Sequence, residues 1–189
     1  MELECIAIEK GEGTGAILGH AGFIKTVEDL YEAMVGSVPG VKFGIAFAEA
    51  SGPCLVRSDG NDDGLRRQAE NSILNIAAGH TFLILFREAY PINLINHIRN
   101  VGEVATIYCA TSNPVQVIVA KVGNGRSVLG IVDGLSSRAI ENEDDKQNRT
   151  KLLRDLNTRN DKLSCLKSTF PLRRPSPASP AAAEADVCG

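Results

Sequence analysis

The chain predicts an α/β domain: a single domain with a mixed β-sheet and helices packed on it, in a three-layer α/β/α-like arrangement. Two observations carry that expectation. Apolar strand-like runs alternate with amphipathic helical segments in the order β-α-β-β-α-β-α-β-β-β-α. The run Thr81-Phe82-Leu83-Ile84-Leu85-Phe86 is almost wholly apolar, as a strand covered on both faces must be. A length of 189 residues suffices for one domain with a sizeable core.

Residues 2–9 alternate as a strand, and the glycine-rich residues 10–19 read as a loop. Next comes Phe23-Ile24-Lys25-Thr26-Val27-Glu28-Asp29-Leu30, in which Thr26 reads as a helix N-cap with acids in the first turn. Leu30, Ala33 and Met34 keep helical spacing, and Gly36 with Pro39-Gly40 ends the helix. Residues 42–48 read as a strand, 49–53 as a turn and 54–57 as a short strand. The polar residues 58–63 supply the cap for a helix over 63–78, with Leu65, Ala69, Ile73, Ile76 and Ala77 inward. Gly79 then reads as the stop and 81–86 as the central strand. Pro91 opens another helix. Strands follow at 104–110, 115–122 and 128–132, with a turn at 111–114 and a hairpin at Gly123-Asn124-Gly125-Arg126. A charged amphipathic helix begins at Glu143 and extends to the neighbourhood of Asn157. The domain therefore spans residues 1–160. Residues 168–189 form a Pro/Ala/Ser-rich tail whose composition predicts disorder.

Composition narrows the function. The net charge of -3 offers no pull toward nucleic acid or an anionic membrane. Aromatic residues are only 5% and Trp is absent, so a single-strand stacking platform is not expected. No apolar run approaches the roughly 20 residues a membrane helix needs. The N-terminus shows no basic stretch followed by an apolar one, so a cytoplasmic location is expected. The five cysteines (Cys5, Cys54, Cys109, Cys165, Cys188) are odd in number and lack metal-ligand spacing. They read as reduced thiols, and Cys5, Cys54 and Cys109 as small hydrophobes in apolar runs.

Connection rules place the loops. A tight turn makes its flanking strands antiparallel and a helical crossover makes them parallel. In one sheet, the start of 81–86 then falls on the edge where 43–48 ends. His80 lies there beside Glu49, Ser51 and Gly52, with the hairpin carrying Arg126 and the end of the first strand on the same side. The turn with Asn113, and Asp133-Gly134, fall on the opposite edge. Glycines let backbone N–H groups approach an anion, Ser adds a hydroxyl and Arg clamps phosphate. A histidine nitrogen can accept a phosphoryl group, with a carboxylate to orient it. The plain alternative is that Gly79 caps a helix and His80 is a polar strand start. His20, His97, Arg57 and Asp59 read as ordinary loop or surface residues. No G-x-x-x-x-G-K-[ST] and no G-x-S-x-G occur, and Gly11-Glu12-Gly13-Thr14-Gly15 lacks the lysine of a P-loop.

Several segments in one order resemble the adenosine-specific kinase family. They are Phe23 to Leu30, Val38-Pro39-Gly40-Val41-Lys42-Phe43-Gly44, Glu49-Ala50-Ser51-Gly52-Pro53 and Ala78-Gly79-His80-Thr81-Phe82. Tyr90-Pro91-Ile92-Asn93, Cys109 to Val115 and Gly130-Ile131-Val132-Asp133-Gly134 continue the series. The His20-Ala21-Gly22 segment departs from the bulkier sequence usual in that family. The resemblance implies a small α/β domain that assembles into trimers or hexamers and binds adenosine nucleotides (ATP, ADP or AMP), with Mg²⁺ as the companion of the phosphates. No metal-ligating residue is assigned, and Glu49 could either orient His80 or help hold Mg²⁺. His80 becomes the phosphorylated position, with Glu49 beside it as the second catalytic residue. Ser51, Gly52, Asn113 and Asp133 are the matching polar positions expected around nucleotide and phosphate, and Arg126 joins them from the strand placement above. The expected activity is phosphoryl transfer from ATP or ADP through His80 to an adenosine-like acceptor. The alternative is a non-enzymatic, oligomeric AMP/ADP-binding or sensing module.

Overall fold

The computed structural model describes residues 1–155, so the expected tail at 168–189 lies outside the described residues. A first compact unit, Met1–Ser136, holds eight strands and three helices. In chain order these are β1 (Glu2–Ala7), β2 (Gly15–Ala21), α1 (Thr26–Val35), β3 (Lys42–Ala48), β4 (Val56–Gly60) and α2 (Asp63–Ile76). Then come β5 (Thr81–Arg87), α3 (Pro91–Arg99), β6 (Val104–Thr111), β7 (Val115–Val122) and β8 (Gly125–Asp133). A second unit begins at Ser137 and contains α4 (Glu143–Asp155), where Asn142 and Asp145 exchange backbone-to-side-chain hydrogen bonds at the helix start.

The α/β class holds, but the strands form two sheets rather than one. Five strands run in the order β4-β3-β5-β2-β6, and β1-β7-β8 form a separate three-stranded sheet. Every neighbouring pair is antiparallel. The parallel relation expected across α2 does exist, between β4 and β5, with β3 lying between them. The first strand and the 123–126 hairpin therefore belong to the small sheet.

The main departure is β2. Residues 10–19 read as a glycine-rich loop, yet Gly15–Ala21 is a buried strand between β5 and β6. The glycines are there for space. A Cβ on Gly15 would lie 2.3 Å from the Phe86 ring, and one on Gly19 would lie 2.5 Å from the Phe82 ring. Side-chain alternation then sorts the five-stranded sheet into two unlike faces. Phe43, Ile45, Phe47, Phe82, Ile84 and Phe86 pack under α1 and α3 with Leu30, Met34, Leu94 and Ile98. The opposite face is built of smaller side chains, Ala16, Leu18, Ala46 and Ala48 among them. It receives α2 and, through Val115, Val117 and Val119, the small sheet.

Local signals set the helix ends. Asp62 caps α2, accepting the Leu65 N–H at 2.9 Å. The helix stops two residues before the expected point. Ala77, not Gly79, takes the left-handed C-cap conformation at φ 48°. Thr26 is the first residue of α1 rather than its cap, and its hydroxyl donates back to the Phe23 carbonyl. Strand β4, expected over 54–57, begins at Val56 and continues to Gly60, through residues expected to be loop. Cys5 and Cys54 are exposed, against the expectation of buried filler, while Cys109 is half-buried with its thiol pushed up to about 11 by burial.

Helix α2 lies directly on β3 at Gly44, where an added Cβ would sit 2.1 Å from the backbone nitrogen of Arg66. The helix backbone cannot yield as a flexible side chain would. Gly44→Ala is therefore expected to lower unfolding free energy by about 1–3 kcal/mol in urea titration. Gly102→Ala, with open space around the new methyl, is expected to stay within about 1 kcal/mol of wild type.

Candidate functional site

His80 occupies the gap between α2 and β5 in a left-handed conformation, φ 63°, which a residue with a Cβ adopts only when its surroundings impose it. Two main-chain hydrogen bonds impose it. The His80 N–H donates to Ala48 O at the end of β3 (2.7 Å), and the His80 carbonyl accepts from Ala21 N at the end of β2 (2.9 Å). The residue before it must be glycine for a different reason: a Cβ on Gly79 would lie 2.7 Å from the Cβ of Ala50. The Gly79-His80 step and the Glu49-Ala50 turn are thus in contact, as the strand directions predicted.

The imidazole lies parallel to the Phe47 ring, centroids 6.1 Å apart. It meets the His20 ring edge-on, with centroids 5.7 Å apart. Neither ring nitrogen of His80 has a hydrogen-bond partner among the described residues. Its face opens on a cavity of about 380 Å³ that is also lined by Phe23, Ile24, Glu49, Ser51, Gly52 and Arg57. Gly52, at φ 65°, turns the loop at its tip.

Glu49 is only 9% exposed at its side chain and is fully engaged. Oε1 accepts from Arg57 Nε at 2.6 Å and Oε2 accepts from the Leu55 N–H at 3.1 Å. The guanidinium first, and then the backbone N–H, hold this carboxyl below the usual carboxylate range. Its oxygens are committed to Arg57 and Leu55 rather than to the imidazole. Arg57 brings a guanidinium into the cavity, 43% exposed, with only Nε tied to Glu49. Sequence reasoning set it aside as a surface charge. The signal was its place one residue into β4, across from Phe47 in the register.

His20 was set aside too, because its segment read as loop. At the end of β2 it pairs with Thr81 in register, which delivers its ring to His80. Recognising that Gly15 and Gly19 make room for two phenylalanines would have found it.

Arg126 does not join this cavity. It pairs with Glu4 of β1 and lines a second hollow of about 480 Å³ behind the Glu49-Ala50 turn, with Cys54, Ile73 and Leu74. Asn113, in the turn from β6 to β7, and Asp133, at the end of β8, lie at the strand ends away from His80, as expected, although the two belong to different sheets. Asn113 Nδ2 and Thr111 Oγ1 both donate to Asp133 Oδ1, at 3.0 and 2.8 Å. Lys10 ties this corner together by donating to the carbonyls of Thr14 and Ser112. Burial holds the Lys10 amine below its ordinary value, and Asp133 offsets part of that penalty.

Among the described residues, no group of three or more His, Cys, Asp or Glu side chains is placed to hold a metal ion. Around His80 there is one carboxylate, already engaged on both oxygens. The residues present do not make a cation site of their own. No described helix is long and apolar enough to cross a membrane.

A family model described as adenosine specific kinase matches residues 6–159. The crystal structure of the PH1918 protein from Pyrococcus horikoshii OT3 is similar in sequence and fold. It shares 47% identity at a TM-score of 0.80, over 82% of this chain and 96% of that one. Among curated proteins, none matches.

Burial and then the neighbouring His80 ring lower the His20 pKa from its ordinary 6.5. Both effects penalise the imidazolium, so His20 is the neutral base at neutral pH. The unfolded chain restores a value of about 6.5. As pH falls below that value the unfolded state takes up the proton first, and the stability held by neutral His20 is lost between the unfolded and folded values. In His80→Gln one of the two penalties disappears, so the His20 midpoint is expected to rise. Imidazole C–H resonances followed by NMR against pH test this, and an unmoved midpoint would rule out the coupling.

Proposed function

Because the chain belongs to the adenosine-specific kinase family, we propose that the cavity beside His80 binds an adenosine nucleotide and that His80 carries its phosphoryl group. The observation that carries this reading is the state of the imidazole. It is fixed through its backbone, free at both ring nitrogens, and open to a cavity that also receives an arginine and a glycine turn. A nucleophile needs that combination of rigidity and an uncommitted lone pair.

The reaction follows from ordinary phosphoryl chemistry. The ATP–Mg²⁺ complex is the substrate. The unprotonated imidazole nitrogen attacks the terminal phosphorus, a P–N bond forms, and the bridging P–O bond breaks with its electron pair leaving on ADP. Arg57 and the Ser51-Gly52 turn, which line the cavity, meet the charge that builds on the equatorial oxygens. In the second half an acceptor hydroxyl, on adenosine or a close analogue, attacks the same phosphorus. The P–N pair returns to the imidazole, and the hydroxyl proton passes to solvent water.

Glu49 acts here through Arg57. It holds the guanidinium by its Nε and leaves the terminal nitrogens for a ligand in the cavity that Arg57 lines. Asn113, Asp133 and Arg126 would touch this nucleotide only as part of a second copy of the chain, in the trimer or hexamer the family resemblance implies.

Intact mass after incubation with ATP–Mg²⁺ tests the reading. A gain of one acid-labile phosphoryl group is expected, below detection in His80→Asn. Asparagine is preferred to alanine because it tolerates the left-handed backbone at this position. Adenosine added to the loaded protein is expected to remove the group. AMP binding by calorimetry with no gain in mass would instead establish a nucleotide-binding module without chemistry.

A further inference from the structure

Phe23 and Ile24 are placed unlike the other apolar residues of their segment. Val27, Leu30 and Met34 of α1 turn inward and are buried, whereas Phe23 and Ile24 are 56% and 59% exposed. One exposed apolar side chain is ordinary. Two in succession, both lining one cavity, are not accounted for by core packing.

Their mount is rigid. The Phe23 carbonyl accepts both the backbone N–H and the hydroxyl of Thr26, a residue with no exposed surface. The Gly22 N–H donates to Glu103 O at 3.0 Å, which ties the other end of the segment to the start of β6. The two side chains are therefore presented toward the cavity from a backbone held at both ends.

The cavity has two chemically different parts. His80, Arg57 and Ser51 supply imidazole, guanidinium and hydroxyl. Phe23 and Ile24 supply only apolar surface, one of them a flat ring. We propose that Phe23 and Ile24 are the platform on which the base of the bound nucleotide rests, a planar purine-class heterocycle, while its phosphate faces Arg57, Ser51 and His80. This assignment rests on the nucleotide reading given above. An aromatic face accepts a base by stacking, and the aliphatic neighbour extends the dry surface under the second ring. A volume of about 380 Å³ falls within the usual range for small-molecule sites.

Calorimetry with AMP and with ribose 5-phosphate separates the base from the phosphate. The wild-type chain is expected to bind AMP at least about tenfold more tightly than ribose 5-phosphate. The double variant Phe23→Ser with Ile24→Ser is expected to lose that difference and keep its affinity for ribose 5-phosphate. Phe23→Tyr, which keeps the ring, should retain the preference. Phe23→Leu keeps the bulk without the ring, should lose several-fold of the preference, and serves if the double variant fails to fold. Arg57→Gln should weaken both ligands alike. Equal wild-type affinities, or a double variant that still prefers AMP, overturn the platform and leave the phosphate site standing. A wild-type chain that binds neither ligand overturns the platform together with the nucleotide reading. Unchanged ligand binding with an altered oligomeric state assigns the pair to an interface between copies and likewise overturns it.

Discussion

The site depends on the main chain of one residue. His80 stands between two strands, its N–H bonded to β3 and its carbonyl to β2. Those two bonds stitch the start of β5 into the sheet and hold a non-glycine residue at φ 63°. Such a conformation costs on the order of 1 kcal/mol or more, and it persists only where neighbours over-determine it. What the cost secures is direction. An extended residue at this point would send its side chain along the strand's alternation. The left-handed turn instead sets the imidazole parallel to Phe47 and against His20, above the cavity. The ring nitrogens remain uncommitted because the backbone has already done the positioning.

That clamp in turn requires the unlike faces of the sheet. The aromatic face under α1 and α3 supplies Phe47 as a support for the ring, and Phe82 and Phe86 fill the space left by Gly19 and Gly15. The other face is kept shallow by Ala46, Ala48 and Gly44, so that α2 can lie close to β3. Close approach by α2 is what brings Gly79 against Ala50, and with it the histidine against the Glu49 to Gly52 turn. A bulkier residue at Gly44 or Gly79 would disturb the site from a distance, through the position of the helix and not through any group that touches ligand.

Much of this was legible in residue order. The strand directions placed His80 beside Glu49, Ser51 and Gly52, and Asn113 with Asp133 at the opposite edge, because turn length and helical crossover decide parallel from antiparallel. The second sheet was not legible: β7 and β8 read as strands, but periodicity does not say which sheet a strand joins. Strand β2 was hidden for a sharper reason. Glycine is taken as a loop signal because of its backbone freedom, while Gly15 and Gly19 are present for the volume of aromatic rings that lie 63 or more residues further along the chain. Missing β2 meant missing His20. Arg57 was lost in a similar way: a charged residue in a short edge strand looks solvated until its partner, Glu49, is seen to be turned inward.

The charge balance of the cavity says how an anion would be held there. The whole chain carries a net charge of -3, so no long-range field draws a phosphate in. Within the cavity, Glu49 cancels the formal charge of Arg57, and the ionised state of that carboxyl is secured by the pair itself. The His20 ring, kept neutral by burial and by His80, adds no positive charge at neutral pH. What remains is directional or apolar: the nitrogens of Arg57 that Glu49 does not engage, the Ser51-Gly52 turn, and the apolar side chains of Phe23 and Ile24. Directional donors discriminate by geometry, and their strength falls less with ionic strength than that of a net-charged patch. A site of this kind selects a ligand by shape and by the placement of its polar groups relative to its apolar ones, rather than by total charge.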